Sequence, residues 1–156
     1  MASARKGAEN PVARAGYSPR PLIRKLGINA GDRVVFCNEP DDFRDSLGPL
    51  PAGARATTQL RGEKDYVHIF SRNAKHLGGK LASAVPVLAV DGMLWISWPK
   101  KSSGVVTDLD GAAVRALGQA AGLVDVKVCA VDETWSGHKF MFRREDRERI
   151  TASRGK

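Results

Sequence analysis

The chain has 156 residues, of which 42% are hydrophobic and 27% are charged. This length suits one domain, and this balance is that of a globular protein rather than a disordered one. The most hydrophobic stretch, residues 81–98, is interrupted by Pro86, Asp91 and Gly92, which excludes a membrane-spanning helix. The first ten residues lack the apolar core of a secretory signal, so we expect a cytoplasmic protein.

The formal net charge of +8 lies in the two ends of the chain. Residues 1–25 contribute +5 and residues 139–156 contribute +4, whereas residues 26–138 contribute −1. Basic ends can attract phosphate backbones, so weak nucleic-acid binding through the tails is one hypothesis. We expect 1–16 to be a disordered basic tail, 17–143 a single Rossmann-like α/β domain, and 144–156 a charged C-terminal tail that can be trimmed with little loss of stability.

The predicted elements alternate between helices and short apolar strands. Four helical segments are predicted. In chain order, the first follows Ser18-Pro19, the second covers 41–47, the third runs from the cap Asn73 to Leu88, and the fourth runs from a cap at Asp108 or Asp110 to Gly122. The strands are 33–37, 54–60, 65–70, 93–98, 123–131 and 139–143.

This alternation is typical of a parallel sheet with right-handed crossovers. The last two strands have no helix between them, so they should form an antiparallel hairpin. Within 123–131 we expect Val124, Val126 and Val128 on one side of the sheet. We expect His68 to be a satisfied core histidine and His76 a surface residue.

The segment LGINAGDRVV (Leu26 to Val35), followed by βα units and a closing hairpin, resembles the scaffold of class I methyltransferases over roughly residues 19–143. The resemblance implies a Rossmann-like (methyltransferase-like) α/β fold, with a mostly parallel sheet, helices on both faces and a C-terminal antiparallel hairpin.

A more specific resemblance is to a family of small bacterial proteins catalogued as a domain of unknown function. The segments WPKKSSGVVTDL (Trp98 to Leu109), GLVDVKVCAVDETWSGHKF (Gly122 to Phe140) and GYSPRPLIRKLGI (Gly16 to Ile28) are similar to that family. It implies the same fold and no activity.

Three motifs of cofactor binding are absent from the sequence. The turn after the first strand reads Cys37-Asn38-Glu39-Pro40, without the glycines that let a backbone approach S-adenosylmethionine (SAM). The dinucleotide fingerprint G-x-G-x-x-G and the P-loop pattern are missing as well. Because Glu39 would also repel a ligand carboxylate, we expect no cofactor, and classical SAM or NAD binding to be unlikely.

In an open α/β sheet, ligands bind beyond the carboxyl ends of the parallel strands. At that edge, a loop with two ammonium groups, two hydroxyls, a flexible glycine and an indole suits an anion, and its residues are Trp98, Lys100, Lys101, Ser102, Ser103 and Gly104. The alternative is an ordinary solvated loop in which Trp98 covers the sheet. Secondary candidates are Asn38, Glu39, Asp132, Glu133 and Trp135, although a structural turn explains the last three as well. No metal site is predicted, and no catalytic residue is assigned.

These observations favour a degenerate methyltransferase-like domain that binds an anionic small molecule or a protein partner at the carboxyl edge of its sheet. The alternative is a transferase-like enzyme that uses Lys100, Lys101, Asp132 and Glu133 on a phosphorylated or carboxylated substrate. Whether the protein is an enzyme stays open at this point.

Overall fold

The computed structural model describes residues 21–155, so the predicted tail 1–16 and the domain start at residue 17 lie outside the described residues. The strands within this range are β1 (Arg33–Cys37), β2 (Arg55–Thr57), β3 (Lys64–Phe70), β4 (Leu88–Pro99), β5 (Leu123–Ala130) and β6 (Trp135–Phe142). They form one six-stranded sheet in the order β2-β1-β3-β4-β6-β5. Strand β6 runs antiparallel to both of its neighbours, and the other strands share one direction.

The α-helices are α1 (Leu22–Leu26), α2 (Phe43–Leu47), α3 (Ala74–Ala84), α4 (Gly111–Ala120) and α5 (Arg144–Arg154), with short 3₁₀ turns at Val85–Val87 and Lys101–Ser103. None of the helices between residues 21 and 155 has the length and apolarity that crossing a bilayer requires.

Helices cover both faces of the sheet. Leu26 of α1 and Phe43 of α2 pack in one buried cluster with Trp95 of the sheet. Leu77 of α3 and Val114 of α4 pack in a second cluster on the other face. The α/β fold class is therefore confirmed, including the mostly parallel sheet and the C-terminal antiparallel hairpin.

Strand β1 shows why its sequence is continuously apolar. Val34 and Phe36 belong to one buried cluster, whereas Val35 and Cys37 belong to the other. Successive side chains of a strand point to opposite faces, so a strand that is covered on both faces needs apolar residues at every position.

His68 is a buried residue of β3, as predicted. Its Nδ1 atom lies 2.9 Å from the Tyr66 hydroxyl and its Nε2 atom 2.7 Å from the Ser97 hydroxyl. The imidazole stacks on Phe70 with ring centroids 4.3 Å apart. Burial lowers the pKa of His68 to about 3, so this histidine is a neutral part of the core.

The predicted alternation in β5 is broken by a register shift between Asp125 and Lys127. Val124 pairs with Met141 and Val128 pairs with His138. Met141 and His138 are three residues apart in β6, so their side chains lie on opposite faces and the two valines do too. The prediction that the valines share one side was therefore wrong.

Helix α3 ends four residues earlier than its apolar spacing predicted. The 3₁₀ turn Val85–Val87 follows it, and Leu88 already begins β4. Pro86 explains the early end, because proline lacks the N–H that would continue the helix.

The C-terminal residues 144–154, predicted to be a charged tail, form helix α5. The Arg154 guanidinium donates to the carbonyl of Leu88 at 2.7 Å and to that of Val85 at 3.0 Å. Ile150 packs against a core cluster. Little in the sequence predicts this helix, because its stability comes from contacts with β4 and the 3₁₀ turn rather than from an apolar stripe.

Arg154→Gln is therefore expected to lower the free energy of unfolding by about 1.5–3 kcal/mol, because it removes two charge-assisted hydrogen bonds to main-chain carbonyls. Arg149→Gln is the matched control, since Arg149 lies on the same helix and contacts Asp146 at 3.5 Å. Urea unfolding followed by circular dichroism measures both. Equal stability of the two variants would show that α5 contributes little and that the original expectation of a dispensable end was right.

Candidate functional site

A cleft of about 620 Å³ lies at the carboxyl edge of the sheet. The chain passes from β1 outward to β2 and then crosses to β3 on the other side of β1. The strand order thus reverses between β1 and β3, which is where open α/β sheets bind ligands. The cleft is lined by the residues that follow these two strands and by two further loops, namely Asn38, Pro40, Phe70, Ser71, Arg72, Asn73, His76, Val105, Thr134 and Trp135.

A chain of hydrogen bonds crosses this switch point. The Asn38 amide nitrogen lies 2.6 Å from His76 Nε2, and the Ser71 hydroxyl lies 2.7 Å from His76 Nδ1. Ser71 also donates to the Asn73 carbonyl at 3.0 Å. An amide N–H can only donate, so Nε2 accepts, Nδ1 carries the proton, and His76 donates to Ser71. The chain ties the turn after β1 to the start of α3.

His76 was predicted to lie on the surface, and this was wrong. It is half-buried and belongs to the cleft. The sequence contains one usable signal, because Asn73 caps α3 and accepts from the His76 N–H at 2.7 Å. A side chain at this position points back toward the start of its helix, which here is the carboxyl edge of the sheet.

Asn38 has a positive φ of 60°. Asparagine tolerates this left-handed conformation better than other residues with a Cβ atom. The turn after β1 therefore adopts, without glycine, a backbone conformation for which glycine is the usual residue. Glu39 does not line the cleft, and its carboxylate lies 3.9 Å from the Arg44 guanidinium.

Arg72 is an exposed cation of the cleft. No carboxylate within residues 21–155 lies within 4.0 Å of its guanidinium. Its backbone carbonyl accepts from Thr107 at 2.6 Å, and Asp108 of the same loop accepts from the Ala74 N–H at 2.8 Å. The loop before α4 therefore holds the backbone beside Arg72 in place.

The predicted anion loop lies next to the cleft, and only Val105 of its continuation lines it. The Lys100 N–H donates to the Thr134 carbonyl at 2.8 Å, which brings the loop to the β5–β6 turn. Ser103 donates to the Lys100 carbonyl and accepts from the Val105 N–H. Lys101 and Ser102 are exposed, and Gly104 ends the 3₁₀ turn with a φ of 76°.

Trp98 is 6% exposed and belongs to a core cluster, so its ring does not lie in the cleft. Asp132 accepts from the N–H groups of Thr134 and Trp135 at 2.8 and 2.7 Å, and Glu133 is exposed beside it. Trp135 packs edge to face against Phe70, with ring centroids 5.3 Å apart. Asp132 is thus explained by its hydrogen bonds within the turn, whereas Trp135 also lines the cleft.

Two further observations concern the cysteine at the end of β1 and metal-binding side chains. Burial raises the pKa of the Cys37 thiol, which keeps it protonated at the end of β1. No group of three or more His, Cys, Asp or Glu side chains that could hold a metal ion occurs in the described part of the chain.

Fold and cleft together define a methyltransferase-like Rossmann domain with a polar site at its switch point. Two solved structures share this fold. One is magnesium protoporphyrin IX methyltransferase from Synechocystis PCC 6803 with bound SAH, with a TM-score of 0.53, 11% identity and 78% of each chain covered. The other is fibrillarin from Aeropyrum pernix with SAM, with a TM-score of 0.53, 12% identity, and 77% of this chain and 73% of that chain covered.

At this level of identity the likeness shows the fold alone. No model of a known protein family matches the chain, and no curated protein matches it significantly. The resemblance to the uncharacterised bacterial family therefore stays a prediction.

The expectation that no cofactor binds, and that SAM binding is unlikely, is contradicted by these structures. Proteins of this fold were solved with SAM or SAH, so SAM binding is possible for the fold. The structure bears on both arguments from sequence. Asn38 supplies the positive φ without glycine, and Glu39 lies beside Arg44 instead of lining the cleft.

Proposed function

We propose that this protein binds a small molecule with an anionic group in the cleft between β1 and β3. The observation that carries the proposal is Arg72, a guanidinium in the cleft with no carboxylate partner among the described residues. A guanidinium presents its N–H groups in a fixed fork that matches a carboxylate or a phosphate. The site therefore favours a ligand that carries an anionic group.

The other polar groups of the cleft can orient a ligand through hydrogen bonds. Asn38 uses one amide N–H on His76, which leaves its carbonyl and a second N–H for a ligand. Thr134 adds a hydroxyl on the opposite side. None of the described residues that line the cleft is an Asp or a Glu.

The loop Lys100–Gly104 is part of the same proposal. Its ammonium groups follow Pro99 at the end of β4, and the Lys100 main chain contacts Thr134 of the cleft. We assign Lys100 and Lys101 a supporting role, in which they raise the positive potential at the rim. Ser102 and Gly104 allow the exposed part of the loop to adjust to a ligand.

SAM belongs to the proposed ligand class, since it carries a carboxylate. The residues present fit it. Arg72 could hold the carboxylate, Asn38 provides the turn, and the volume suits a ligand of that size. When bound, SAM supplies an electrophilic methyl group. Methyl transfer is the second candidate function, favoured by the fold that the chain shares with two SAM-binding proteins.

Arg72→Gln is expected to weaken binding of an anionic ligand about tenfold to a hundredfold, because a charge-assisted hydrogen bond is worth about 1.5–3 kcal/mol. Isothermal titration calorimetry with SAM, nucleotides, sugar phosphates and acyl-coenzyme A compounds first finds the ligand and then measures the variant. Arg24→Gln is the control, since Arg24 is an exposed arginine of α1 that does not line the cleft.

Three results discriminate between the parts of this proposal. Loss of affinity in Arg72→Gln alone supports the cleft. A tenfold loss in the double variant Lys100→Ala, Lys101→Ala assigns the anion to the loop as well. An affinity that none of these variants changes would place the site elsewhere and end the proposal. The alternative of an enzyme that uses Asp132 in catalysis is not favoured, because that carboxylate accepts two N–H groups of the β5–β6 turn.

A further inference from the structure

The residues that line the cleft fall into two chemical groups, which we call its polar wall and its apolar wall. One wall consists of the polar groups that follow β1 and β3, with Arg72 as its cation. The other is apolar and consists of Pro40, Phe70, Val105 and Trp135. A ligand that only carried charge would leave this second wall in contact with water.

The aromatic part of the apolar wall is preorganised. Phe70 is buried and stacks on His68, and Trp135 packs edge to face against it at 5.3 Å. Trp135 is only half-buried, so part of its indole is left for a ligand. Edge-to-face and offset-stacked contacts favour another planar ring at such a surface.

Val105 also belongs to the apolar wall. It is half-buried and lines the cleft. Two residues further on, the Thr107 hydroxyl donates to the Arg72 carbonyl at 2.6 Å. A short segment therefore connects the apolar wall to the residue that supplies the cation.

We infer that the ligand is amphipathic, with an anionic group at Arg72 and an aromatic or other apolar group against Phe70, Trp135 and Val105. The inference rests on the proposed function and names the class of ligand more narrowly. Sugar phosphates and inorganic anions satisfy one wall, whereas aryl phosphates and aryl carboxylates satisfy both. Burying the apolar wall adds affinity in proportion to the area that is removed from water.

The test uses inorganic phosphate and phenyl phosphate as probes and calorimetry on the full chain. Phenyl phosphate should bind at least tenfold more tightly than inorganic phosphate. Val105→Ser should reduce the affinity for phenyl phosphate about fourfold more than the affinity for inorganic phosphate, because each buried methyl group contributes about 0.8 kcal/mol. Val128→Ser is the matched control, since Val128 is 59% exposed on β5 and does not line the cleft.

The outcomes separate the two proposals. A phenyl phosphate advantage that falls in Val105→Ser and persists in Val128→Ser supports the inference. Equal affinity for both probes, with phosphate binding lost in Arg72→Gln, overturns the inference and leaves the proposed function standing. Binding of neither probe overturns both. A thermal melt of each variant verifies that it is folded.

Discussion

Gly118→Ala is expected to lower the free energy of unfolding by about 3 kcal/mol, at the upper end of the range for added atoms in a packed core. A Cβ atom at position 118 would lie 2.3 Å from Cε2 of Phe140, with two further atoms of that ring at 2.5 and 2.7 Å. Real Cβ atoms are not found at such distances, so either the ring or helix α4 must move.

Neither partner can move cheaply. Phe140 is fully buried, and His138 stacks on its ring with centroids 4.5 Å apart. Helix α4 packs against the same core through Val114, which is also fully buried. Glycine is therefore required at this helical position for close approach of the helix to β6, despite its cost in helix propensity.

Gly79→Ala is the matched control for this prediction. Gly79 is also helical, but a Cβ atom there would have nothing within 4 Å. This variant should gain up to about 1 kcal/mol, because alanine has the higher helix propensity. Urea unfolding of both variants gives opposite signs if the contact with Phe140 matters. A Gly118→Ala protein as stable as the wild type would mean that α4 shifts freely on the sheet.

Acidification is expected to destabilise the fold by about 2 kcal/mol between pH 7 and pH 5. The pKa of His68 is lowered from 6.5 to about 3 by burial. Below pH 6.5 the unfolded chain binds a proton on this histidine that the folded protein does not accept. The free energy of unfolding therefore falls by about 1.4 kcal/mol per pH unit, and this loss continues until the pH approaches 3.

Urea unfolding at a series of pH values between 7.5 and 5 measures this slope. His68→Gln, which cannot titrate, should be less dependent on pH over the same range. The pKa of His138 is also lowered by burial, so part of the slope should remain in that variant. Direct titration by NMR makes the prediction independent of whether the variant folds. A His68 ring that titrates near pH 6.5 would contradict it.

The strands of the sheet could be predicted from the sequence because the signals that mark them are local. Alternating or continuous apolar runs specified β1, β3 and β5 to within one residue at each end. The cap residues Asn73 and Asp110 marked the starts of α3 and α4, and both accept the expected N–H bonds. Such signals depend on residues close in sequence, so they survive without knowledge of tertiary contacts.

The site was harder to predict because its contacts are distant in sequence. His76 belongs to the cleft through Asn38, which is 38 residues away. The Trp98 ring could have stacked on a ligand or covered the sheet, and it packs in a core cluster. Glu39 looked like a repelling charge, yet it lies beside Arg44. Side-chain direction at the end of a strand depends on the turn that follows, and composition does not specify that turn.

The Asp108 carboxylate has a consequence for how readily this cleft could change its ligand. It accepts the Ala74 N–H and so already occupies the positive end of the α3 dipole. In many Rossmann proteins this backbone position binds phosphate and cannot be altered by side-chain substitution. In the proposed site the attraction for an anion comes mainly from one exposed arginine, which a single codon change can neutralise or reverse. The proposed function therefore makes ligand charge preference a readily evolvable trait, separable from the fold that carries it.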